Sequence, residues 1–275
     1  SWRGESAKVA QARYRAFYQC DVDTVAPQLT ARADGNCIIT LIKGLQALKV
    51  PGFVVYLNHI GIAHYFLEKA GIAKEHYKAA LRAIDKLKPD NFEAVVVDLC
   101  TTVPGMKPEE AAALLTKMSY RGPLSEFALP DDLTDEARGA FTHLQKIERM
   151  AGRAGVDPKV LAFCPLLACG LDYYTGVVFE TFVLGHEKLG SISSGGRYDD
   201  LVGEFNPAVK LQGVGGSIGL TRLFDVMKAL GIVDLERQTS AQVFIGYRTE
   251  TEEATADELA TSLRALGIKC EVEVV

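Results

Sequence analysis

The residues best suited to chemistry are polar side chains that alternate along one predicted strand. The period-two pattern over residues 13–23 predicts a strand with two distinct faces. Cations, carboxylates, an amide and an aromatic ring share one of these faces: Arg13, Arg15, Phe17, Gln19, Asp21 and Asp23. Such a face is typical of either a solvated outer surface or the floor of a polar binding site.

Two further arginines, Arg3 and Arg222, could add fixed positive charge to such a site. Considered alone, Arg222 in the apolar segment 218–223 is more simply interpreted as an ion-pair partner. Together with Arg3 and the arginines of the strand face, it becomes a candidate for holding an anionic group. Guanidinium suits this task because it stays charged and binds phosphate oxygens through two hydrogen bonds.

Glycines precede Arg222 at positions 213, 215, 216 and 219. Their spacing does not match the GxGxxG loop that binds dinucleotides, and no βαβ unit surrounds them. The glycines instead predict a close approach between a strand and a helix, with Arg222 one turn into the helix.

The segment that begins at Asp172 joins an acid to the tandem Tyr173-Tyr174 at the start of a predicted strand. Buried tyrosines are commonly core residues whose hydroxyl has a partner, but the neighbouring acid favours a polar ligand pocket. None of the five histidines accompanies a serine or cysteine nucleophile, so we predict no catalytic histidine. The six cysteines form no CxxC pair, which predicts no metal site and reduced thiols in a cytoplasmic protein.

Composition limits the possible functions of this 275-residue chain. With 48% apolar residues it can bury a core, and no apolar run approaches the roughly 20 residues that span a bilayer. We therefore expect no membrane association. The net charge of −5 argues against a general nucleic-acid coat, so any contact with nucleic acid requires a local patch.

The order of predicted elements suggests three parts. A strand over 53–58 precedes a charged helical block, with helices over 77–87, 108–120 and 134–152. Strands over 173–183 and 190–194 follow, with Gly195-Gly196 as the turn and a short helix over 197–205. A helix from about 219 stops at Gly231, and residues 242–275 form one βαβ unit. Both ends look cut, so we expect a fragment.

Several segments resemble the histidyl branch of the class II aminoacyl-tRNA synthetases. Residues 2–5 (WRGE) with 13–21 (RYRAFYQCD) are similar to motif 2, and residues 213–223 are similar to motif 3. Residues 170–180 (GLDYYTGVVFE) and 194–202 (SGGRYDDLV) resemble the two segments by which the histidyl family is recognised.

The resemblance implies an α+β fold, in which an antiparallel sheet flanked by helices carries a helical insertion. It places the catalytic core at residues 1–60 and 150–236, and the insertion at 61–149. Residues 241–275 would then be the start of an α/β anticodon-binding domain. The motif 1 region and most of the anticodon-binding domain would be missing.

The resemblance also implies a reaction: histidine and ATP give histidyl-adenylate, and the histidyl group passes to the 3′-end of histidine tRNA. Mg²⁺ is expected with ATP, held chiefly by phosphate and water, and a homodimer is expected. Arg3 and Arg222 are the implied catalytic cations. The implied ATP-binding residues are Arg3, Glu5, Arg13, Phe17 and Arg222, and the implied histidine-binding residues are Gln19, Asp23, Tyr173, Tyr174 and Tyr198.

The departure from the family pattern that bears most directly on activity is at position 169. Cys169 stands where the family signature has an arginine next to the reacting carboxylate and α-phosphate. Losing one such electrostatic contact costs on the order of 10²–10³ in rate. A second function therefore stays open, that of a catalytically impaired histidine or tRNA sensor or regulatory subunit.

Overall fold

The computed structural model describes residues 16–88, 90–168, 173–201, 203, 206, 208–233 and 239–275. The chain divides into two compact units, one ending at Asp225 and the other beginning at Val226.

The described part of the first unit contains a six-stranded sheet in the order β1-β6-β5-β4-β2-β3. All neighbouring strands are antiparallel except β2 and β3, which run parallel. The strands are β1 (Gln19–Ala26), β2 (Phe53–His59), β3 (Leu161–Phe163), β4 (Val177–Val183), β5 (Ser193–Arg197) and β6 (Gln212–Gly219). This mixed, mainly antiparallel sheet with flanking helices confirms the predicted α+β class.

Helices follow β1 and fill the stretch between β2 and β3. They are α1 (Ala31–Ala47), α2 (Ile60–Lys69), α3 (Tyr77–Ile84), α4 (Phe92–Thr102), α5 (Pro108–Met118) and α6 (Asp135–Arg153), and α7 (Leu220–Ala229) follows β6. The predicted helices over 77–87, 108–120 and 134–152 correspond to α3, α5 and α6. Pro108 opens α5 and two glutamates occupy its first turn, where their negative charge interacts favourably with the helix dipole.

Helix α1 covers one face of the sheet. Its buried side chains, including Cys37, Ile38, Leu41 and Leu45, recur at helical spacing. The helix packs on β1, β5 and β6, and α6 packs against both α1 and β2. Gly216 permits the close approach, since a Cβ there would lie 2.5 Å from the Phe179 ring and 2.7 Å from Leu41. The candidate site lies on the opposite face of β1, β6 and β5.

The glycine pair Gly195-Gly196 is part of β5, so its prediction as a turn was wrong. Added Cβ atoms would collide with the backbone of β6 at Gly195 and with the carbonyl of Val177 at Gly196. These glycines are therefore required by close packing between strands. Arg197, predicted to begin a helix, is instead the last residue of β5.

Strand boundaries also differ from the predictions. Among the described residues β1 begins at Gln19 and continues to Ala26, and β4 begins at Val177, after the Tyr173-Tyr174 pair. The glycines from Gly213 to Gly219 lie within β6 and do not form a loop before the helix.

The second unit contains the predicted βαβ arrangement. Strands β7 (Val243–Tyr247) and β8 (Cys270–Val274) pair in parallel, and α8 (Glu250–Ala265) connects them. Its small core consists of Ile245, Ala256 and Ala260. A capping box between Thr249 and Glu252 begins α8. Among the described residues of both units, no helix has the length and apolar character needed to cross a membrane.

Candidate functional site

The polar strand face predicted from the sequence lies on the open side of the sheet. In the β1–β6 register, Asp21 is opposite Ser217 and Asp23 is opposite Gly215. Side chains alternate along a strand, so Gln19, Asp21 and Asp23 share the face turned away from α1. The amide of Gln19 donates to the Ser217 hydroxyl over 3.0 Å. All three side chains are exposed, so a ligand can reach them.

Three glycines form the floor beside these side chains: Gly196, Gly213 and Gly215. A Cβ at Gly196 would lie 2.7 Å from the Tyr174 ring. A Cβ at Gly213 would overlap the Tyr198 ring, and one at Gly215 would overlap the Asp23 carboxylate. The glycines therefore allow two tyrosines and one acid to lie directly on the sheet.

The three predicted pocket tyrosines are brought together over this floor. The Tyr173 and Tyr174 ring centroids are 4.6 Å apart, and those of Tyr173 and Tyr198 are 6.2 Å apart with nearly perpendicular rings. The Tyr198 hydroxyl donates a short hydrogen bond to Asp23 Oδ1. Burial and the adjacent Asp23 raise the pKa of Tyr198, so its hydroxyl stays protonated at neutral pH.

Arg222 lies beyond the other end of β6, in the first turn of α7. Along the strand, Gly219 is about 20 Å from the Gly213 end, where Tyr198 lies. One guanidinium nitrogen of Arg222 donates to the carbonyl of Ser191 over 2.7 Å. Burial raises the pKa of Glu180 on β4 to about 7, Asp85 adds to the increase, and Arg222 opposes it.

Among the other residues predicted for the site, Phe17 belongs to the described part of the chain. Phe17 lies half-buried just before β1. Arg3, Glu5 and Arg13 lie outside the described residues, as do Cys169 and Asp172. The roles expected for these five residues stay predictions.

A buried polar network, not predicted from the sequence, lies on the α1 side of the sheet. Asp34 on α1 is fully buried, and its carboxylate lies 3.1 Å from Arg197 and 2.7 Å from the imidazole of His143. The available signal was an acid on the same helix face as Cys37, Ile38 and Leu41. Burial lowers the pKa of the neighbouring His59 to about 4, with a smaller contribution from His143.

A second missed residue supports the segment that leads towards position 169. Asn58 on β2 is fully buried, and its amide nitrogen donates to the carbonyls of Pro165 and Leu167 over 2.9 and 2.8 Å. Asn58 is opposite Val178 in the β2–β4 register, next to the strand that carries Gly196. It therefore ties the 165–167 segment to the sheet beside the tyrosines.

Comparisons with known proteins, by sequence and by structure, match this chain to the same kind of protein. A family model described as histidyl-tRNA synthetase matches residues 4–223. The histidine–tRNA ligase of Stenotrophomonas maltophilia (strain K279a) is 32% identical over 283 residues, which cover 99% of this chain and 60% of that protein. The chain thus spans about 60% of the length of the curated relatives it matches.

Solved structures that are similar to this chain include the following two. The histidyl-tRNA synthetase from Nostoc sp. PCC 7120 has a TM-score of 0.79 and 29% identity, covering 94% of this chain and 61% of that chain. A Bacillus halodurans protein, described as an ATP phosphoribosyltransferase regulatory subunit/histidyl-tRNA synthetase, has a TM-score of 0.69, with coverage of 94% and 63%. Its identity of 21% supports similarity of fold alone.

Proposed function

Because this chain belongs to the histidyl-tRNA synthetase family, we propose that it acts in a histidine–tRNA ligase. Such an enzyme joins histidine to ATP as histidyl-adenylate and then transfers the histidyl group to the 3′-end of histidine tRNA. The observation that carries the proposal is the cluster of Asp23, Tyr174 and Tyr198 on a glycine floor. Arg222 lies beyond the opposite end of the same strand.

The tyrosine end of the open face is the proposed histidine pocket. Asp23 and Gln19 hold the ammonium and carboxylate region of the amino acid. The Tyr198 hydroxyl donates to Asp23 Oδ1, and Oδ2 can accept a hydrogen bond from the ammonium of the bound histidine. A hydrogen bond between an ammonium and a carboxylate is strengthened by their opposite charges. Tyr174 and Tyr198 line the space for the imidazole, with Tyr173 packed behind them.

The arginine end of the face is the proposed ATP site. Arg222 contacts the far end of the triphosphate, and its hydrogen bond to the Ser191 carbonyl holds the guanidinium at the start of α7. Arg3 and Arg13 contribute further positive charge, Phe17 stacks on adenine, and Glu5 contacts the base. Mg²⁺ enters with ATP as part of the substrate, bound chiefly by phosphate and water.

In the proposed activation step, a carboxylate oxygen of histidine attacks the α-phosphorus and forms a mixed carboxylic–phosphoric anhydride. The bond from the α-phosphorus to its bridging oxygen breaks, and pyrophosphate leaves with that electron pair. Negative charge develops on phosphate oxygens, so fixed cations lower the barrier and no covalent protein nucleophile is needed. Arg3 and Arg222 supply that charge.

Family membership supports a set of finer proposals. The proposed partners are histidine, ATP and histidine tRNA, and the proposed assembly is a homodimer in the cytoplasm. Residues 241–275 begin an anticodon-binding domain, residues 61–149 form the insertion, and residues 1–60 with 150–236 form the catalytic core. The parallel βαβ unit of β7, α8 and β8 supports the assignment of residues 241–275 to an anticodon-binding domain.

Histidine-dependent exchange of pyrophosphate into ATP tests the proposal. The exchange is measured on the native protein and on the Cys169→Arg variant, with alanine in place of histidine as the control substrate. Exchange by the native protein supports a ligase. Exchange by the variant alone indicates a synthetase scaffold silenced at one position, and the sensor function then replaces the proposal. Exchange by neither contradicts the pocket assignment.

A further inference from the structure

We propose that Arg197 is a positioning residue that sets the geometry of the histidine pocket from beneath the sheet, with Asp34 as its anchor. The inference rests on the proposed function, because histidine is the ligand whose binding it affects. Arg197 lies on the face opposite the pocket and so does not touch the amino acid. It acts through the two segments that carry Tyr174 and Tyr198.

The guanidinium of Arg197 is held from four directions. One terminal nitrogen lies 3.1 Å from Asp34 Oδ2, and Nε donates to the carboxylate of Asp199 over 3.0 Å. The other terminal nitrogen donates to the Leu29 carbonyl over 3.1 Å and to Gln212 Oε1 over 2.8 Å. The side chain thereby connects α1, the segment before α1, and the start of β6.

The backbone of Arg197 transmits this constraint to the pocket. Its carbonyl accepts a hydrogen bond of 2.8 Å from the amide of Thr175, the residue that follows Tyr174. The next residue is Tyr198, whose amide donates to the Gly213 carbonyl over 2.7 Å. The Thr175 hydroxyl accepts from the amide of Asp199 over 3.0 Å, which closes the link between the two segments.

Packing adds a second connection. A Cβ at Gly176 would lie 2.8 Å from Cδ of Arg197, so the aliphatic stem of Arg197 lies directly against the chain that leaves Tyr174. Displacing the stem therefore moves that chain, and with it the ring that lines the pocket.

The polarity of the network favours a positioning role over a purely stabilising one. Asp34 is fully buried and Arg197 is 8% exposed. A buried ion pair pays a large desolvation cost, and apolar residues of similar size often stabilise a fold as well or better. What an apolar pair lacks is direction, because a guanidinium fixed by four acceptors holds one orientation. Misplacing a pocket group by about 1 Å is enough to cost on the order of 100-fold in activity.

The experiment compares Arg197→Met, Asp34→Leu and the double variant in histidine-dependent ATP–pyrophosphate exchange. The exposed ion pair between Lys69 and Asp132, 2.6 Å apart, provides the control variant Lys69→Met. We expect Arg197→Met to raise the KM for histidine on the order of tenfold or more, with the KM for ATP within twofold. The double variant should recover much of the urea midpoint lost by either single variant, but not the KM for histidine. Lys69→Met should change neither constant.

Recovery of the histidine KM in the double variant, or equal changes in both KM values, would overturn the inference and leave a structural role. Amide hydrogen exchange, measured by mass spectrometry, distinguishes failure of this inference from failure of the proposed function. If the native protein shows no exchange of pyrophosphate, the function fails, and the inference rests on amide protection alone. Faster amide exchange confined to residues 173–178 and 196–200 in Arg197→Met supports it. Amide exchange that is unchanged, or faster throughout the chain, overturns the inference.

Discussion

Replacing Gly196 with alanine should displace Tyr174 from the floor of the proposed histidine pocket. The new Cβ would lie 2.6 Å from the carbonyl oxygen of Val177 and 2.7 and 2.8 Å from two carbons of the Tyr174 ring. The backbone of Gly196 does not have a positive φ, so the effect comes from space alone.

The size of the effect follows from these distances. Non-bonded carbon atoms pack at about 3.5 Å or more, so Tyr174 or the strand must move by roughly 0.8 Å. Inserting a methyl group into a closely packed site costs about 1–3 kcal/mol in the free energy of unfolding. If Tyr174 contacts histidine as proposed, a movement of that size should raise the KM for histidine by about tenfold or more.

Gly139→Ala is the matched control. Gly139 is exposed within α6, and a Cβ there would meet nothing within 4 Å. In a helix interior, alanine is favoured over glycine by about 0.5–1 kcal/mol, so this variant should be more stable than the native protein.

Urea unfolding, followed by circular dichroism, gives the stability of both variants, and pyrophosphate exchange at varied histidine gives the KM. Opposite signs of the stability change are expected from the same chemical substitution. The close packing of Tyr174 on the sheet would be refuted if Gly196→Ala kept the native KM for histidine and its urea midpoint was no lower than that of Gly139→Ala.

Three further predictions concern the site and its support. Tyr198→Phe removes the donor to Asp23 and should raise the KM for histidine about tenfold with the KM for ATP unchanged; because water reaches the exposed carboxylate, urea unfolding should show a loss below about 1 kcal/mol. Asn58→Leu leaves two carbonyls without their donor and should lower the free energy of unfolding by about 1–3 kcal/mol, and an unchanged urea midpoint would contradict the tether. For Glu180, a folded pKa of about 7, above the ordinary value of 4.5, means that the folded state binds the proton more tightly. Its contribution to stability therefore falls as pH rises from about 4.5 to 7, and Glu180→Gln should gain up to about 3 kcal/mol relative to the native protein at pH 8, but not at pH 4. Parallel pH profiles of unfolding for the two proteins would exclude this effect.

Local patterns determined much of the fold before any tertiary information was available. The period-two alternation placed Gln19, Asp21 and Asp23 on one face, because successive side chains of a strand point to opposite sides wherever the strand lies. The predicted helices over 77–87, 108–120 and 134–152 likewise located α3, α5 and α6, and the predicted strand over 53–58 and βαβ unit over 242–275 were found at those positions.

The glycine pair at 195–196 shows where local reasoning ends. Two adjacent glycines favour a turn when only their own conformational freedom is considered. In the structure they lie within β5. Glycine is needed there because β6, Phe179 and Tyr174 occupy the space that side chains would fill. Those neighbours come from other parts of the chain, so the sequence around the pair does not contain the reason.

The sequence by itself determined the α+β class of the fold and the chemical character of the open face. Only the tertiary structure decided which residues meet: Asp34 and Arg197 are 163 positions apart, and Asp23 and Tyr198 are 175 apart. Backbone periodicity is a property of neighbours in the chain, whereas the free energy of a buried ion pair or a close ring contact depends on distances that folding alone creates.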